Sequence, residues 1–141
     1  MDDDEPKIEA AAFAELATGG VPYVGQLGLV VERFRRGRVT MRLPYQAILL
    51  RPGGTICGPA MMALADVTLY GVVLSAIGRV ELAVTSDLNI HFLRKPKPGD
   101  LLAEGSLLKL GRSLAVGEVR LHTANDAALV AHVTATYAIP A

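Results

Sequence analysis

Between residues 53 and 78 the chain reads GGTICGPAMMALADVTLYGVVLSAIG, apolar on nearly every face for about five helical turns, with one charged side chain, Asp66, at its centre. Burying a carboxylate without a partner costs several kcal/mol, so Asp66 needs a reason to be there. One reason is chemistry, since a carboxylate in apolar surroundings is suited to general-base or nucleophilic work. The bland alternative is a carboxylate bonded to a neighbouring hydroxyl or backbone group to fix packing. Cys57 precedes the same segment. A thiol at a helix N-terminus can be a low-pKa nucleophile, but no base or orienting group stands near it in sequence, and it reads more simply as a small space-filling residue. His91, His122 and His132 show no metal-ligand spacing, so no metal is expected. Arg94, Lys95 and Lys97, with Arg112 in what reads as the neighbouring turn, form a short basic cluster that either is solvated or meets phosphate groups.

The elements that must position these residues follow from period and punctuation. Gly58 can cap the central helix with Pro59 at its first position, and Gly78 sits where a terminating glycine belongs. Residues 59–77 approach the length of a bilayer span, yet a mid-span Asp, unbiased flanking Arg51 and Arg79, and dilution by Ala and Gly argue for a helix buried in protein, with no membrane partner. Residues 8–18 place Ile8, Ala11, Ala12, Phe13 and Leu16 near one face of a short helix ending before Gly19. Residues 28–36 and 38–43 form a hairpin about Arg36 and Gly37, with Val39, Met41 and Leu43 inward. Residues 44–52 are an irregular loop, as Pro44 and Pro52 require. After Gly78 comes a long strand in which Val84, Ser86, Leu88, Ile90 and Phe92 alternate with Ala83, Thr85, Asp87, Asn89 and His91. Three more strands follow, at 101–110, 113–123 and 129–139, the last with Ala131, Val133, Ala135 and Tyr137 on one face. Without βαβ alternation, an antiparallel sheet curled around one apolar helix satisfies the pattern, an α+β fold.

A chain of 141 residues with 51% hydrophobic and 20% charged residues reads as one globular domain over 1–141, with residues 1–20 as an N-terminal segment holding the short helix. Fourteen basic and fourteen acidic residues balance, which gives no reason to expect a nucleic-acid partner. The opening MDDDEPK is acidic where a secretory signal would be basic, and the single cysteine forms no intrachain disulfide, so a reducing cytoplasm is the expected location.

Four stretches together resemble the hotdog-fold acyl-CoA thioesterases, in particular the group named after the phenylacetate-pathway thioesterase. GTICGPAMMALAD is similar to that family's G-x-x-H-G-G followed by a helix whose motif ends L-A-D. VTSDLNIHFLRKPKPGDLL is similar to its third strand and following loop, and GRSLAVGEVRL and AHVTATYAI extend the similarity to the end. The resemblance implies a sheet wrapped around the central helix, a homodimer or dimer of dimers joined edge to edge, and acyl-CoA bound at the interface with no cofactor. It implies that the carboxylate at Asp66 attacks the thioester carbonyl or activates water to do so, that the Gly58 N–H holds the carbonyl oxygen, and that Thr85 stands where a hydroxyl assists in some members. The basic residues Arg94, Lys95, Lys97 and Arg112 would then face coenzyme A.

Physical chemistry supports two of these points. A helix N-terminus offers unpaired N–H groups and partial positive charge, which favour a developing oxyanion. Nine residues of helix from Cys57 to Asp66 span roughly 13 Å, too far for one chain to bring both groups to one carbonyl, so two subunits are needed. The chain also departs from the family. Cys57 replaces the His, Pro59 the second Gly, and Arg51 an Asn six residues before the His. Pro59 suits a first helical turn. The imidazole and amide orient substrate or water in the family, and their loss bears on rate and substrate range. A non-catalytic acyl-CoA carrier or sensor is therefore the rival reading, while a hotdog dehydratase would need a His/Asp or His/Glu pairing that is not evident in the sequence.

Overall fold

The computed structural model describes residues 4–141; Met1, Asp2 and Asp3 of the acidic opening lie outside the described residues. Two short helices, α1 (Ala10–Gly20) and α2 (Pro22–Leu27), precede a hairpin of β1 (Val30–Arg35) and β2 (Arg38–Leu43). A single 3-10 turn (Ala47–Leu49) and a two-residue ladder of β3 (Leu50–Arg51) and β4 (Thr55–Ile56) lead into the long helix α3 (Gly58–Ile77). Then follow β5 (Val84–Phe92), β6 (Leu101–Leu110), β7 (Leu114–Thr123) and β8 (Asp126–Ala138). The main sheet is antiparallel throughout, in the order β1-β2-β6-β7-β8-β5. It wraps α3, which is the α+β hotdog arrangement that the resemblance implied.

The sheet closes on the helix through an inward row on every central strand. Val39, Met41 and Leu43 of β2, Leu101 and Ala103 of β6, Ala115, Val119 and Leu121 of β7, and Ala131, Val133 and Ala135 of β8 are all buried against it. Small residues at the centre let the helix approach. A Cβ on Gly105 would lie 2.8 Å from Val72 Cγ2 and 2.9 Å from Thr68 Cγ2; on Gly117 it would lie 2.4 Å from Leu69 Cδ2 and 2.9 Å from the Ser106 carbonyl oxygen. By length and composition α3 could cross a membrane, but 72% of its most apolar window is buried inside the domain. The sheet nevertheless leaves one strip of the helix uncovered. Gly58, Ala63, Asp66 and Tyr70 are half-buried there and Met62 is exposed.

Several boundaries differ from expectation for local reasons. Cys57, with extended backbone (φ −71°, ψ 152°), is the N-cap of α3, so Gly58 takes the first helical position and Pro59 the second, both of which suit a residue without a needed N–H. Helix α1 runs through Gly19 and Gly20 and is followed at once by α2, whose end is set by left-handed Gly28 (φ 70°). Phe13, Leu16 and Ala17 are its buried residues, while Ala11 faces solvent. The loop at 44–52 contains the 3-10 turn and β3, which turns back onto β4 through two positive-φ glycines, Gly53 and Gly54. Strand β8 begins three residues earlier than the alternation suggested, because Asp126 still pairs with Thr123.

The largest difference lies in β5, the edge strand beyond β8. Thr85 pairs with Tyr137 and Asp87 with Thr136, leaving Ser86 as an extra, unpaired residue. Such a bulge reverses the alternation on one side of it. Leu88 and Ile90 point inward, but upstream of the bulge it is Thr85, and not Ser86 or Val84 as an unbroken alternation would have it, that turns toward the helix.

If close docking of α3 is what holds the fold, Gly117→Ala should cost about 2–3 kcal/mol, because a backbone carbonyl cannot yield, and Gly105→Ala about 1–2 kcal/mol, because the opposing methyls can. Gly19→Ala, with nothing within 4 Å of the added carbon, should cost nothing. Urea unfolding of the three variants checks the ranking.

Candidate active site

Asp66 occupies the third turn of α3, on the strip that the sheet leaves uncovered. Two hydroxyls converge on its Oδ1: Thr85 Oγ1 donates at 2.6 Å and the Tyr137 hydroxyl at 2.7 Å. The phenol oxygen also lies 2.8 Å from the Asp66 backbone oxygen, so its one proton is shared between two acceptors. Among the described residues, no hydrogen bond reaches Oδ2. The carboxylate thus has one oxygen tied and one offered.

Offered to what is set by the neighbouring elements. Asp66 opens on a pocket of about 180 Å³, walled by Val21 and Val24 of α2 and its cap, Val67 and Tyr70 of α3, and Ala83 and Val84 leading into β5. Stacked and tilted rings back it: Phe34 on Phe13 at 5.3 Å, Phe13 on Tyr70 at 5.8 Å, and Tyr70 on Tyr137 at 6.1 Å. Tyr70 donates to the Glu81 carbonyl at 2.9 Å. Burial, and next the charge of Asp66, push the Tyr137 phenol far above its ordinary pKa, so it remains a protonated donor. Burial also raises Tyr70.

A second cavity, of about 420 Å³, opens at the N-terminus of α3, where Arg51, Gly58, Phe92, Arg94 and Lys95 meet. The basic residues are brought there by the connection from β5 to β6, which crosses the sheet end. Leu93 and Arg94 N–H groups donate to the Val130 carbonyl, and the Pro96 carbonyl accepts from Ile56. Lys97 borders the adjoining groove with Arg94 and Lys95. At the first helical position the Gly58 N–H has no acceptor within the helix. A Cβ on Gly58 would press within 3.2 Å of the Phe92 ring, so glycine keeps this corner open.

The sequence-chosen residues therefore fall into separate groups. Arg51, Gly58, Arg94 and Lys95 share one cavity; Asp66 and Thr85 share another, eight residues or about 12 Å along the same helix. Cys57 is half-buried between helix and loop, its N–H donating to the Leu49 carbonyl at 2.8 Å. Arg112 is not beside the other basic residues. It turns at the end of the sheet where Leu114 and Val84 both pair with Ala138, whereas Arg94 follows Phe92, paired with Ala131 roughly 25 Å away. His122 and His132 bond Glu104 and Glu118, each at 3.0 Å, on the outer face of the sheet, and His91 is exposed there. Tyr137 was placed inward but given no role; a lone hydroxyl closing an otherwise aliphatic inward row was the signal that it needed a buried partner.

Comparison with known proteins is consistent from three sides. Residues 53–130 match the family described as the thioesterase superfamily. A protein of Halobacterium salinarum named "Putative esterase" is 31% identical over 125 residues, covering 85% of this chain and 82% of the relative. A crystal structure from Silicibacter sp. TM1040, described as a "putative thioesterase", is 42% identical with a TM-score of 0.87, covering 99% of this chain and 97% of that one. A mutant of the phenylacetic acid degradation protein PaaI from Thermus thermophilus is 25% identical with a TM-score of 0.75, covering 84% and 99%.

The raised phenol pKa has a consequence for stability. Above pH 10.0, the ordinary tyrosine value, the unfolded chain releases the Tyr137 proton while the folded chain keeps it. Stability then falls as pH rises, by about 1.4 kcal/mol per unit. Urea unfolding at neutral pH and at about pH 11 should show a smaller alkaline loss for Tyr137→Phe than for the wild type.

Proposed function

The chain belongs to the thioesterase superfamily, and on that footing we propose that it hydrolyses acyl-CoA thioesters at a site shared by two copies of itself. The observation that carries this reading is the Asp66 carboxylate, tied at Oδ1 by Thr85 and Tyr137, with no hydrogen bond to Oδ2 among the described residues and a small pocket beside it. A carboxylate needed only for packing would not require an open side.

The shared site follows from the course of β5. This edge strand has Thr85 beside Asp66 at one end and Phe92 against Gly58 at the other. Its outer edge is unpaired, and Val84, Phe92 and Leu93 along it, with Met62 on the adjacent helix strip, are 41–58% exposed. A second copy adding its own β5 antiparallel would cover that apolar edge and bring the carboxylate end of one chain against the helix N-terminus of the other. The same two-fold axis carries the turn with Arg112 toward the other copy's basic loop.

In this arrangement Asp66 attacks the thioester carbon directly or takes a proton from the attacking water. The negative charge gathers on the carbonyl oxygen, where the Gly58 N–H at the positive end of the helix stabilises it. The C–S bond then breaks, giving free acid and coenzyme A thiol. Arg51, Arg94 and Lys95, with Lys97 alongside, suit the phosphates of coenzyme A, which leaves the acyl group for the pocket at Asp66. Its volume is close to that of an apolar cavity able to hold one benzene ring, so short-chain or single-ring acyl groups are the expected class. Names of relatives that refer to phenylacetic acid degradation put arylacetyl thioesters on the panel to be tested. Cys57 acts as a spacer. A cytoplasmic location fits the free thiol and the substrate. The carrier or sensor reading is favoured by Cys57 and Arg51 standing in for His and Asn, and absence of turnover across the panel would establish it.

Light scattering should give a dimer or a dimer of dimers, and monomer alone at micromolar concentration would remove the shared site. Asp66→Asn should abolish hydrolysis with the fold kept, whereas Cys57→Ser should keep most activity. The sharing itself is tested by pairing Asp66→Ala in one tagged subunit with Gly58→Pro in the other. Cys57 already has backbone angles suited to a residue before proline, and the Phe92 ring would have to yield by a few tenths of an ångström, so circular dichroism checks that the second variant folds. Each homodimer should be inactive, and the purified heterodimer, with one intact site of two, should recover about half of wild-type activity.

A further inference from the structure

We propose that Tyr137 is a positioning residue for the reaction, fixing through its hydroxyl which oxygen of Asp66 is presented to substrate. This rests on Asp66 being the reacting carboxylate. An aspartate on a helix can turn about its last bond and exchange its two oxygens. Here the exchange is opposed from two strands at once. Thr85 on β5 and Tyr137 on β8 are direct partners in the sheet ladder, and both donate to Oδ1. Thr85 alone could follow a rotating carboxylate, since its hydroxyl is on a half-buried edge strand. Tyr137 cannot. Its ring is 4% exposed and stacked on Tyr70, and its hydroxyl lies within 2.8 Å of the Asp66 backbone oxygen, so it gauges the side chain against the helix itself.

The ring alone would fill the space, and the hydroxyl is therefore the informative atom. The groups around it are Asp66 and Tyr70 from α3 and Thr85 from β5, with Glu81 at the pocket rim. Tyr137→Phe removes one oxygen and leaves the packing. With Asp66 free to turn, kcat should fall by about 10- to 100-fold while KM changes by less than about 2-fold, the mark of an interaction that serves the transition state and not binding. Circular dichroism and thermal melting confirm the fold. A second readout does not depend on turnover. In proton magnetic resonance the Tyr137 hydroxyl, identified as the signal lost in Tyr137→Phe, should lie further upfield in Asp66→Asn than in the wild type, because a hydrogen bond to a charged acceptor is the stronger one.

An unchanged kcat in Tyr137→Phe, or a raised KM with unchanged kcat, would overturn the positioning role while leaving Asp66 as the reacting group. Wild-type turnover by Asp66→Asn would instead overturn the reading of Asp66, and the positioning role with it. An unmoved Tyr137 hydroxyl resonance in Asp66→Asn would show that the two groups are not bonded in solution and would also overturn the proposal.

Discussion

A twenty-residue helix with apolar side chains on every face must be enclosed, and no other element of this chain is long enough to do so alone. Every other element answers that need. Five strands present an inward row to α3, the central glycines shorten the distance, and α1 closes one end with Phe13 set against Gly71, where a Cβ would come within 3.0 Å of the ring. Yet six strands curled around a helix leave a strip of it open, and the open strip is where the one charged residue of the helix stands. The enclosing sheet excludes Asp66 from the core and gives it two hydroxyl partners. Position in the wrapping, more than the residue's own chemistry, makes this carboxylate half-buried instead of fully buried.

Much of this was legible in the sequence where a pattern repeats. Strand β2 could be read to the residue because Val39, Met41 and Leu43 alternate with charged neighbours, and both ends of α3 were marked by Gly and Pro to within one position. Short elements gave less. Two-residue strands such as β3 and β4 have no period, and their existence depends on Gly53 and Gly54 adopting positive φ, which glycine permits but does not require. The helix α2 is too short to show periodicity at all.

The site was legible in kind but not in assembly. Asp66 was conspicuous as a charge among apolar residues, and Gly58 as a helix start. Thr85 came only through the family resemblance, and Tyr137 was given no role, because its contact with Asp66 spans 71 residues and depends on register, which a single strand does not disclose. Arg112 was grouped with Arg94 because both belong to basic turns. The length of one strand separates them: the ten residues of β6 carry the chain to the opposite end of the sheet.

The unpaired Ser86 gives β5 a parity. Downstream of it the inward positions are even-numbered, Leu88 and Ile90; upstream they are odd, Thr85 among them. Closing the bulge by sliding Ser86 opposite Tyr137 would leave the composition of the strand unchanged, yet would turn the hydroxyl at position 85 outward and set Ser86 in its place beside the carboxylate, whereas deleting Ser86 would keep Thr85 inward in a regular strand. The register of an edge strand is thus a coarser lever on this carboxylate than substitution of its neighbours. Relatives in which this bulge sits at another position would be expected to differ in which side chain meets the helix, even where their residues align.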